Sequence, residues 1–365
     1  MNSVRFCVIG CGRVAGNHLS AITQLGDAAR LMAVCDLVEE RARNYGQQYG
    51  VPHYTNYHEM LRREDCDVVA VITPSGMHPT HVIDVIQRYR KHIVVEKPLA
   101  LRNADALAMK EAAAKAGVSI FPVYQNRYNK PVQFVKRALD AGELGKLALG
   151  SVRLHWCRPQ RYYGLSPWRG TWAMDGGAYT NQGIHYLDLL TYLMGDVELV
   201  HSITATQLVD IEVEDTGVAV VRFTSGAVGS IEITTTARPD DAEATVTLLS
   251  EKGTVGIAGL SANRLATYSL DPSKTAEASE DIPNAYGHGH KPFIADVVRQ
   301  LREGVPHPMT FDEGLRAIRL LNALYRSAED SATVRLGDQL SSRRLGTPDA
   351  RLAAMYTTPA PEVVQ

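Results

Sequence analysis

Two titratable side chains in this sequence stand in settings that suit proton transfer, and the first is Lys97. It belongs to the run Glu96-Lys97-Pro98, which directly follows the apolar stretch 93–95. A lysine carried to the end of a buried strand, beside a glutamate and ahead of a proline that restricts the turn, is suited to stabilise a developing alkoxide. The alternative is a surface lysine whose stem lies along a loop, and the apolar strand leading into Lys97 argues against it.

The second is His185, in a stretch that opens with Gly176-Gly177. The glycines predict a helix start, and Asn181 lies four residues before His185, so both side chains share one face of the predicted helix. Asn181 and His185 can then point at one substrate. A lone histidine near an apolar helix is more often a packed core residue, so this assignment depends on the rest of the site.

A glycine turn near the start of the chain predicts a dinucleotide ligand next to Lys97 and His185. The apolar run Val4 to Ile9 leads into it, and Asp36 ends the next apolar run. In such strand-turn-helix units bare backbone approaches a pyrophosphate, and the acidic residue binds the ribose hydroxyls and repels a 2′-phosphate. The sequence therefore predicts NAD rather than NADP. The turn residues predicted to contact it are Gly10, Gly12, Arg13 and Val14.

A second turn is expected along the nicotinamide half of the cofactor. Thr73 ends the run that starts at Asp67, and Pro74 follows it, at the carboxyl edge where open α/β sheets bind their ligands. His78 follows in the same turn and is a further candidate contact. Because Pro79 comes next, His78 is explained more simply as the residue that starts the following helix.

Length and composition fit this interpretation. A chain of 365 residues with 45% hydrophobic and 21% charged side chains is typical of a globular protein of two or three domains. The net charge of −2 argues against nucleic acid or an anionic membrane as a partner. Because no apolar run approaches membrane-spanning length and the five cysteines include no Cys-x-x-Cys pair, we expect a soluble, cytoplasmic protein with free thiols.

The pattern of elements changes along the chain. Up to residue 123, short apolar runs alternate with helical stretches such as Glu39 to Tyr49, which predicts an NAD-binding Rossmann domain with a doubly wound parallel sheet. From 124 to 337, longer alternating runs such as Thr216 to Phe223 predict a substrate-binding and oligomerisation domain of α+β class, with a mainly antiparallel, open-faced sheet. The polar tail at 338–365 is expected to fray.

Taken together, these motifs resemble the glucose-fructose oxidoreductase/inositol dehydrogenase/MocA family (Gfo/Idh/MocA) along nearly the whole chain. The glycine turn, the run at 96–98, the entry to the second domain at 141–145 and the segment 176–185 match in order. Within the family, four segments are similar to enzymes that oxidise the C3 hydroxyl of a UDP-linked N-acetylglucosaminuronate. These segments are 124–129, 156–163, 167–172 and 181–185.

The resemblance implies a reaction and further contacts. It implies that the C3 hydroxyl becomes a ketone as a hydride passes to NAD, ahead of a transamination by another enzyme. It places the reaction in the making of diacetamido-uronic acid sugars for bacterial surface polysaccharide such as O-antigen. The further cofactor contacts expected on this basis are Glu96, Lys97, Gln125, Trp168 and Arg169.

Charge complementarity favours the same substrate class. A UDP-uronate carries a diphosphate and a carboxylate, and three arginines alternate with aromatic residues between positions 156 and 169. Guanidinium groups bind such anions through paired hydrogen bonds, although solvated arginines packed on an aromatic patch are the alternative. The expected substrate-binding residues are Lys97, Arg158, Arg161, Tyr162, Asn181, His185, Tyr286, His288 and His290.

The run from Tyr286 to His290 adds hydrogen-bond donors on a glycine-containing backbone that can close over the nucleotide. His288 and His290 are two residues apart, and no third ligand stands nearby in the sequence. Such a pair is a weak metal signal, so the sequence predicts no metal.

The proton chemistry has one departure from the family pattern. Many members carry an aspartate at the position of Asn181. An aspartate would orient His185 and raise its pKa, whereas an amide can only orient it or bind the substrate. We expect His185 to take the hydroxyl proton, Lys97 to stabilise the alkoxide or share that proton, and Asn181 to position the sugar. The sequence leaves open whether Lys97 or His185 is the formal base.

Two other functions fit the same sequence. A dehydrogenase of a free sugar or inositol would need fewer arginines around the pocket. A non-catalytic NAD-binding regulatory protein on the same fold would need neither Lys97 nor His185. In each case the open face of the second sheet must be covered, and pairing with an identical sheet predicts a homo-oligomer, either a dimer or a tetramer.

Overall fold

A computed structural model gives the fold of residues 3–282, 284–337 and 340–360. The strands of its first sheet are β1 (Val4–Ile9), β2 (Ala29–Cys35), β3 (His53–Tyr54), β4 (Val68–Val71), β5 (His92–Val95) and β6 (Ile120–Pro122). The helices around it are α1 (Ala15–Thr23), α2 (Glu39–Tyr49), α3 (Tyr57–Arg63), α4 (His78–Tyr89) and α5 (Asn103–Ala116). The strands are all parallel, in the order β3-β2-β1-β4-β5-β6. This confirms the Rossmann sheet.

Burial explains why these runs form strands. All four residues of β4 are buried, as expected of a strand covered by helices on both faces. The bounds of α2 are those predicted, because Gly50, with φ of +66°, ends it in the left-handed conformation. The parallel arrangement brings the carboxyl ends of β1, β4 and β5 to one edge, and the predicted cofactor residues follow those ends.

The second sheet has eight strands. Those introduced here are β7 (Leu147–His155), β8 (Val197–Ala205), β9 (Thr216–Phe223), β10 (Val228–Thr234), β11 (Glu243–Ser250), β12 (Thr254–Ala258), β13 (Arg264–Tyr268) and β14 (Val334–Arg335). Their order is β13-β12-β11-β7-β10-β9-β8-β14, and every pair is antiparallel except β7 with β10. The sheet is therefore mainly antiparallel, as predicted.

Helices cover one face of this sheet. The helices that follow β6 are α6 (Lys130–Asp140), α7 (Gln160–Tyr163), α8 (Ala178–Asn181), α9 (Ile184–Met194), α10 (Lys274–Glu277), α11 (His290–Glu303), α12 (Phe311–Asp330) and α13 (Ala350–Ala354), and short 3₁₀ helices lie at Gly26–Ala28, Ser75–Met77 and Gln125–Tyr128. Helices α9 and α12 pack on the sheet. On the other face β9 alternates exposed with buried residues, which leaves Val218 and Val220 in solvent. The predicted open face is thus present.

The two domains share helices. α11 packs against α1 and β1, and α12 packs against both β8 and the N-terminal α5. Helices of the second domain therefore pack directly on the first domain. None of the described helices is long and apolar enough to cross a membrane.

The described part of the tail, 340–360, corrects the prediction that this segment frays. It contains α13, and Leu352 packs with Met77 and Met174 in a small apolar cluster. The Tyr356 carbonyl lies 3.2 Å from the Nε2 atom of His81. The composition of the tail is polar, but a few apolar residues suffice to attach it to the Rossmann domain. Residues 338, 339 and 361–365, also part of the predicted tail, lie outside the described residues.

Candidate active site

The glycine turn has the geometry that a pyrophosphate site requires. Gly10 has φ of +100°, and a Cβ atom there would lie 2.3 Å from the main-chain oxygen of Ile72, so no larger residue fits. A Cβ atom at Gly12 would meet no described atom within 4 Å, which leaves the backbone open to a ligand. Val14 precedes the first turn of α1, and the Arg13 side chain is exposed beside it. These residues fit NAD, whose charged pyrophosphate suits a helix start.

Asp36 lies beside this turn, as predicted. Its Oδ2 atom accepts the Cys11 N–H at 2.7 Å, and its Oδ1 atom accepts the Val38 N–H at 2.8 Å. A carboxylate has about four acceptor positions, so the two backbone bonds fix its orientation and still leave acceptors for ribose hydroxyls. Asp36 therefore both shapes the turn and remains able to bind the cofactor.

His78 has a different role from the predicted cofactor contact. It is fully buried, with Nδ1 2.8 Å from the Pro98 carbonyl and Nε2 2.9 Å from the Thr73 carbonyl. Burial lowers its pKa. Since both ring nitrogens are engaged within the protein, His78 joins the turn that carries Thr73 and Pro74 to the turn that carries Lys97.

Glu96 is likewise turned inward and not toward a cofactor. Its carboxylate accepts the Lys97 N–H at 3.0 Å and lies 2.7 Å from the Nε2 atom of His18 and 3.6 Å from that of His290. Burial raises the pKa of Glu96, but the two imidazoles hold it well below its usual range. Glu96 therefore supports the backbone of Lys97 as a buried carboxylate.

Lys97 reaches from the end of β5 to the second domain. Its Nζ atom donates to the main-chain oxygen of Asn181 at 2.8 Å. Burial lowers the pKa of Lys97, the carboxylates of Glu96 and Asp175 oppose this, and the charge of Arg169 lowers it further. The lysine is thus held at a defined place with an amine that loses its proton more readily than a surface lysine does.

Asn181 and His185 do not share one helix, which corrects the prediction. α8 ends at Asn181, and α9 begins at Ile184. The break lies at Gly183, where a Cβ atom would lie 2.6 Å from Ile233 and 2.9 Å from the Tyr179 oxygen. This packing against β10 explains why the residue in the break is glycine. The Asn181 carbonyl, and not its side chain, contacts Lys97, while its Nδ2 atom donates to Asp175.

His185 lies partly buried at the start of α9. Its Nε2 atom is 3.5 Å from the Nε2 atom of Gln125, and its Nδ1 atom has no hydrogen-bond partner among the described residues. Burial, together with the charge of Lys97, lowers the pKa of His185 to about 3. A ring of this kind is neutral at physiological pH, and its unpartnered Nδ1 atom is buried.

The arginines stack on aromatic rings. The guanidinium of Arg158 lies 4.7 Å from the centre of the Trp156 ring, and that of Arg169 lies 4.5 Å from the Trp168 ring. Arg169 also donates to the hydroxyl of Tyr162 at 2.7 Å. Its buried Nε atom has no partner among the described residues. Both cations act on the pKa of Lys97, so they stand near the predicted reaction centre.

The remaining predicted substrate residues lie farther out. Arg161 is exposed, and Arg158 forms an ion pair with Asp241 at 2.9 Å. His288 is also exposed, with Nε2 2.9 Å from the Asp281 carbonyl. Tyr286 is half-buried and lies edge-on to His290, with ring centres 6.5 Å apart. The structure thus separates His288 from His290, which points into the protein.

Among the described residues, His18, Glu96 and His290 are the one set of three potential metal ligands whose atoms lie close together. A direct hydrogen bond between His18 and Glu96, at 2.7 Å, accounts for much of this arrangement without an ion. The absence of a metal stays a prediction. Sequence reasoning missed His18, although it falls in the first turns of α1, and it missed Asp175, although that residue precedes the glycine pair.

Comparison with known proteins gives the family. Residues 4–124 match the family model described as an oxidoreductase family with an NAD-binding Rossmann fold, and residues 132–256 match the GFO/IDH/MocA C-terminal domain. Among curated relatives, a myo-inositol 2-dehydrogenase of Thermotoga maritima is 26% identical over 91% of this chain and 98% of its own.

Two solved structures are more similar. The WlbA dehydrogenase of Bordetella pertussis, in complex with NADH and UDP-GlcNAcA, is 40% identical, with a TM-score of 0.86 over 92% of this chain and 98% of its own. WlbA of Chromobacterium violaceum, with the same ligands, is 37% identical, with a TM-score of 0.85 over 92% and 97%. The chain described here is an NAD-dependent sugar dehydrogenase that belongs to the Gfo/Idh/MocA family of oxidoreductases.

Proposed function

We propose that this enzyme oxidises the C3 hydroxyl of a UDP-linked N-acetylglucosaminuronate to the 3-keto sugar, as a step toward diacetamido-uronic acid sugars of a surface polysaccharide. The observation that carries the proposal is the convergence of Lys97, Arg158 and Arg169, whose charges interact. Two arginines beside the proposed base exceed what a neutral polyol needs, whereas a carboxylate and a diphosphate complement them. The similarity to two WlbA enzymes solved with UDP-GlcNAcA supports the same class.

Lys97 is the proposed base. It must be neutral to accept the hydroxyl proton, and burial lowers its pKa toward that state. His185, with a pKa of about 3, is a much weaker proton acceptor. We assign it the role of a neutral hydrogen-bonding group beside the hydroxyl oxygen.

The reaction balances with these groups. Bound NAD supplies the hydride acceptor. Lys97 takes the proton of the hydroxyl as the C3–H bond breaks and the carbonyl forms. Lys97 and His185 then face a neutral ketone oxygen, and the carboxylate of Glu96 behind the lysine favours its protonated form.

A panel of substrates tests the proposal. We expect NADH to form, as bound or released cofactor, with UDP-N-acetylglucosaminuronate and much more slowly with UDP-N-acetylglucosamine, free glucuronate or myo-inositol. Arg169→Met is expected to lower kcat/KM for the UDP-uronate about 10- to 100-fold, because a hydrogen bond to a charged group contributes about 1.5–3 kcal/mol. The loss should be smaller with UDP-N-acetylglucosamine, which lacks the carboxylate.

The control for this experiment is Arg88→Met. Arg88 lies near the end of α4, opposite the ligand edge of the sheet, and pairs with Asp84 in solvent. It should leave kcat/KM unchanged. Equal turnover of myo-inositol would instead favour the free-polyol alternative, and no NADH with any substrate would favour the regulatory one.

We further propose that the open face of the second sheet pairs with a second copy of the chain. Ile203 and Val220 on this face are 68% and 59% exposed, and contiguous exposed apolar patches mark interaction sites. On the adjacent strands β8 and β9, Ile203 pairs with the exposed Val218, and Val220 lies two residues after Val218, so the three side chains share one face. A second copy offers the same patch, and closed two-fold pairing would bury both.

Sedimentation tests this pairing. Val220→Glu combined with Ile203→Glu is expected to convert the oligomer to smaller species, since each buried carboxylate would be unpaired. Leu107→Glu, which changes an exposed apolar residue on α5, should leave the assembly intact. A wild-type protein that sediments as a monomer would refute the pairing.

A further inference from the structure

Asp175 is a buried carboxylate that connects two parts of the site. It is 1% exposed, and its Oδ2 atom accepts the Gly170 N–H at 2.7 Å. Its Oδ1 atom accepts a hydrogen bond from the Nδ2 atom of Asn181. One carboxylate thus ties the segment that carries Trp168 and Arg169 to the end of α8.

The bond between Asp175 and the side chain of Asn181 matters because the main-chain carbonyl of Asn181 contacts Lys97. The carbonyl of Asn181 accepts the hydrogen bond from Lys97 Nζ at 2.8 Å. As the last residue of a helix, Asn181 has a carbonyl without an intrahelical partner, so this oxygen is available to the lysine. A side chain anchored at Asp175 fixes where that oxygen stands.

The bond to Gly170 fixes the other side of the site. Gly170 has φ of +70° and follows Arg169 directly, and a Cβ atom there would lie 2.9 Å from Ile211. The turn therefore has little freedom once its N–H is bound. The guanidinium of Arg169 is held by the hydroxyl of Tyr162 and by two aromatic rings. The turn at Gly170 holds the main chain of Arg169, so both contribute to its orientation.

We propose that Asp175 is a positioning residue for the dehydrogenation: through Asn181 it places Lys97, and through Gly170 it places Arg169. The proposal rests on the proposed function for the identity of the reaction. A misplacement of about 1 Å in a catalytic group can cost about 100-fold in rate, so a carboxylate that sets two such groups has a large effect without touching the substrate.

The charges facing Asp175 come from several elements. Lys97 and Arg169 attract its carboxylate, whereas Glu214, which precedes β9, repels it. Burial raises the pKa of Asp175 to about 6, against the hydrogen bonds from Gly170 and Asn181. Asp175 is therefore ionised above neutral pH, where it acts as a negative neighbour that raises the pKa of Lys97.

Two variants separate the two connections. Asp175→Asn removes the charge and weakens both bonds, so we expect kcat to fall about 10- to 100-fold and KM for the UDP-uronate to rise. Asn181→Ala keeps the carbonyl and breaks only the connection to Lys97, so kcat should fall with little change in KM. The double variant should be no worse than Asp175→Asn, because both act on one connection.

A measurement without substrate keeps the test independent of the proposed function. The rate at which acetic anhydride labels Lys97, followed by mass spectrometry as a function of pH, gives the pKa of Lys97 in the protein itself. Asp175→Asn should lower that pKa, because a negative neighbour is lost. Asp215→Asn, which removes another buried carboxylate that binds the Gln207 and Leu208 amides, should not change it.

The outcomes are distinct. An unchanged pKa of Lys97 in Asp175→Asn, or additive losses in the double variant, would overturn the role of Asp175. If Asp175→Asn does not fold, as judged by NADH binding, Asn181→Ala decides the matter through its kcat alone. A third outcome is that the wild type turns over no UDP-uronate while Asp175→Asn still lowers the pKa of Lys97. This would refute the proposed function and leave the placement of Lys97 by Asp175 supported.

Discussion

Replacement of Lys97 by methionine is expected to lower kcat about 100- to 10,000-fold, with NADH binding retained. Methionine preserves the length of the stem but cannot accept a proton, and loss of a general base costs about this much. Its sulfur also cannot donate to the Asn181 carbonyl, which loses the 2.8 Å bond from Nζ. Stopped-flow or steady-state measurement of NADH formation gives kcat, and fluorescence titration gives the affinity for NADH.

The role of Lys97 as base also predicts the direction in which kcat changes with pH. A base must be unprotonated to act, so kcat of the wild type should rise as pH increases through the pKa of Lys97, which burial places below its ordinary value. His185 has a pKa of about 3 and is neutral across the whole working range, so its titration cannot produce that rise. The residual activity of Lys97→Met should therefore lose the rise.

His185→Ala serves as the comparison. It removes a hydrogen bond to the substrate oxygen and should reduce kcat less than Lys97→Met, while the rise of kcat with pH remains. If Lys97→Met keeps near wild-type turnover, or if the rise disappears in His185→Ala and persists in Lys97→Met, the assignment of the two roles is wrong.

The sequence predicted the parts of this site that depend on local pattern. Lys97 follows a buried strand, and the glycine turn follows another, so strand periodicity and the carboxyl edge of a parallel sheet suffice to place both. Lys97 was also expected to lie close to the segment that carries His185. The hydrogen bond from Lys97 to the Asn181 carbonyl places it there.

The rest depends on packing between residues that are distant in sequence. Gly183 lies between α8 and α9 and must be glycine because Ile233, on a strand 50 residues later, fills the space where a Cβ atom would lie. His18 contacts Glu96 across the Rossmann domain, and nothing near either residue predicts their 2.7 Å contact. The side chain of Asn181 was expected to position the sugar. In the structure its main-chain carbonyl contacts Lys97, and the residue type does not predict a main-chain contact.

A buried ion pair is expected to carry the largest effect on stability. Arg127 lies in the 3₁₀ helix Gln125–Tyr128 and donates to both carboxylate oxygens of Asp188, at 2.8 and 2.6 Å. The two side chains are 5% and 1% exposed. A third bond, from Arg127 to Glu313 at 2.7 Å, connects α12 to the same point. Three elements that surround the active site therefore meet at one guanidinium.

Arg127→Met should reduce the free energy of unfolding by about 3–5 kcal/mol, because it leaves Asp188 as a buried carboxylate without its cation. Denaturant titration followed by circular dichroism measures the loss. Arg63→Met breaks a pair with Glu59 whose side chains are 67% and 42% exposed, and it should change the same quantity by less than about 1 kcal/mol.

The same substitution links stability to the site. Gln125, two residues before Arg127, lies 3.5 Å from the ring of His185, and Asp188 lies one turn after His185 on α9. Arg127→Met should therefore also loosen the orientation of His185 in the fraction of protein that remains folded. Adding Asp188→Leu removes the unpaired carboxylate and should recover most of the lost stability, because a buried pair can often be replaced by apolar groups. If the single variant costs no more than Arg63→Met, or if the double variant is less stable than the single one, the ion pair does not hold these elements together.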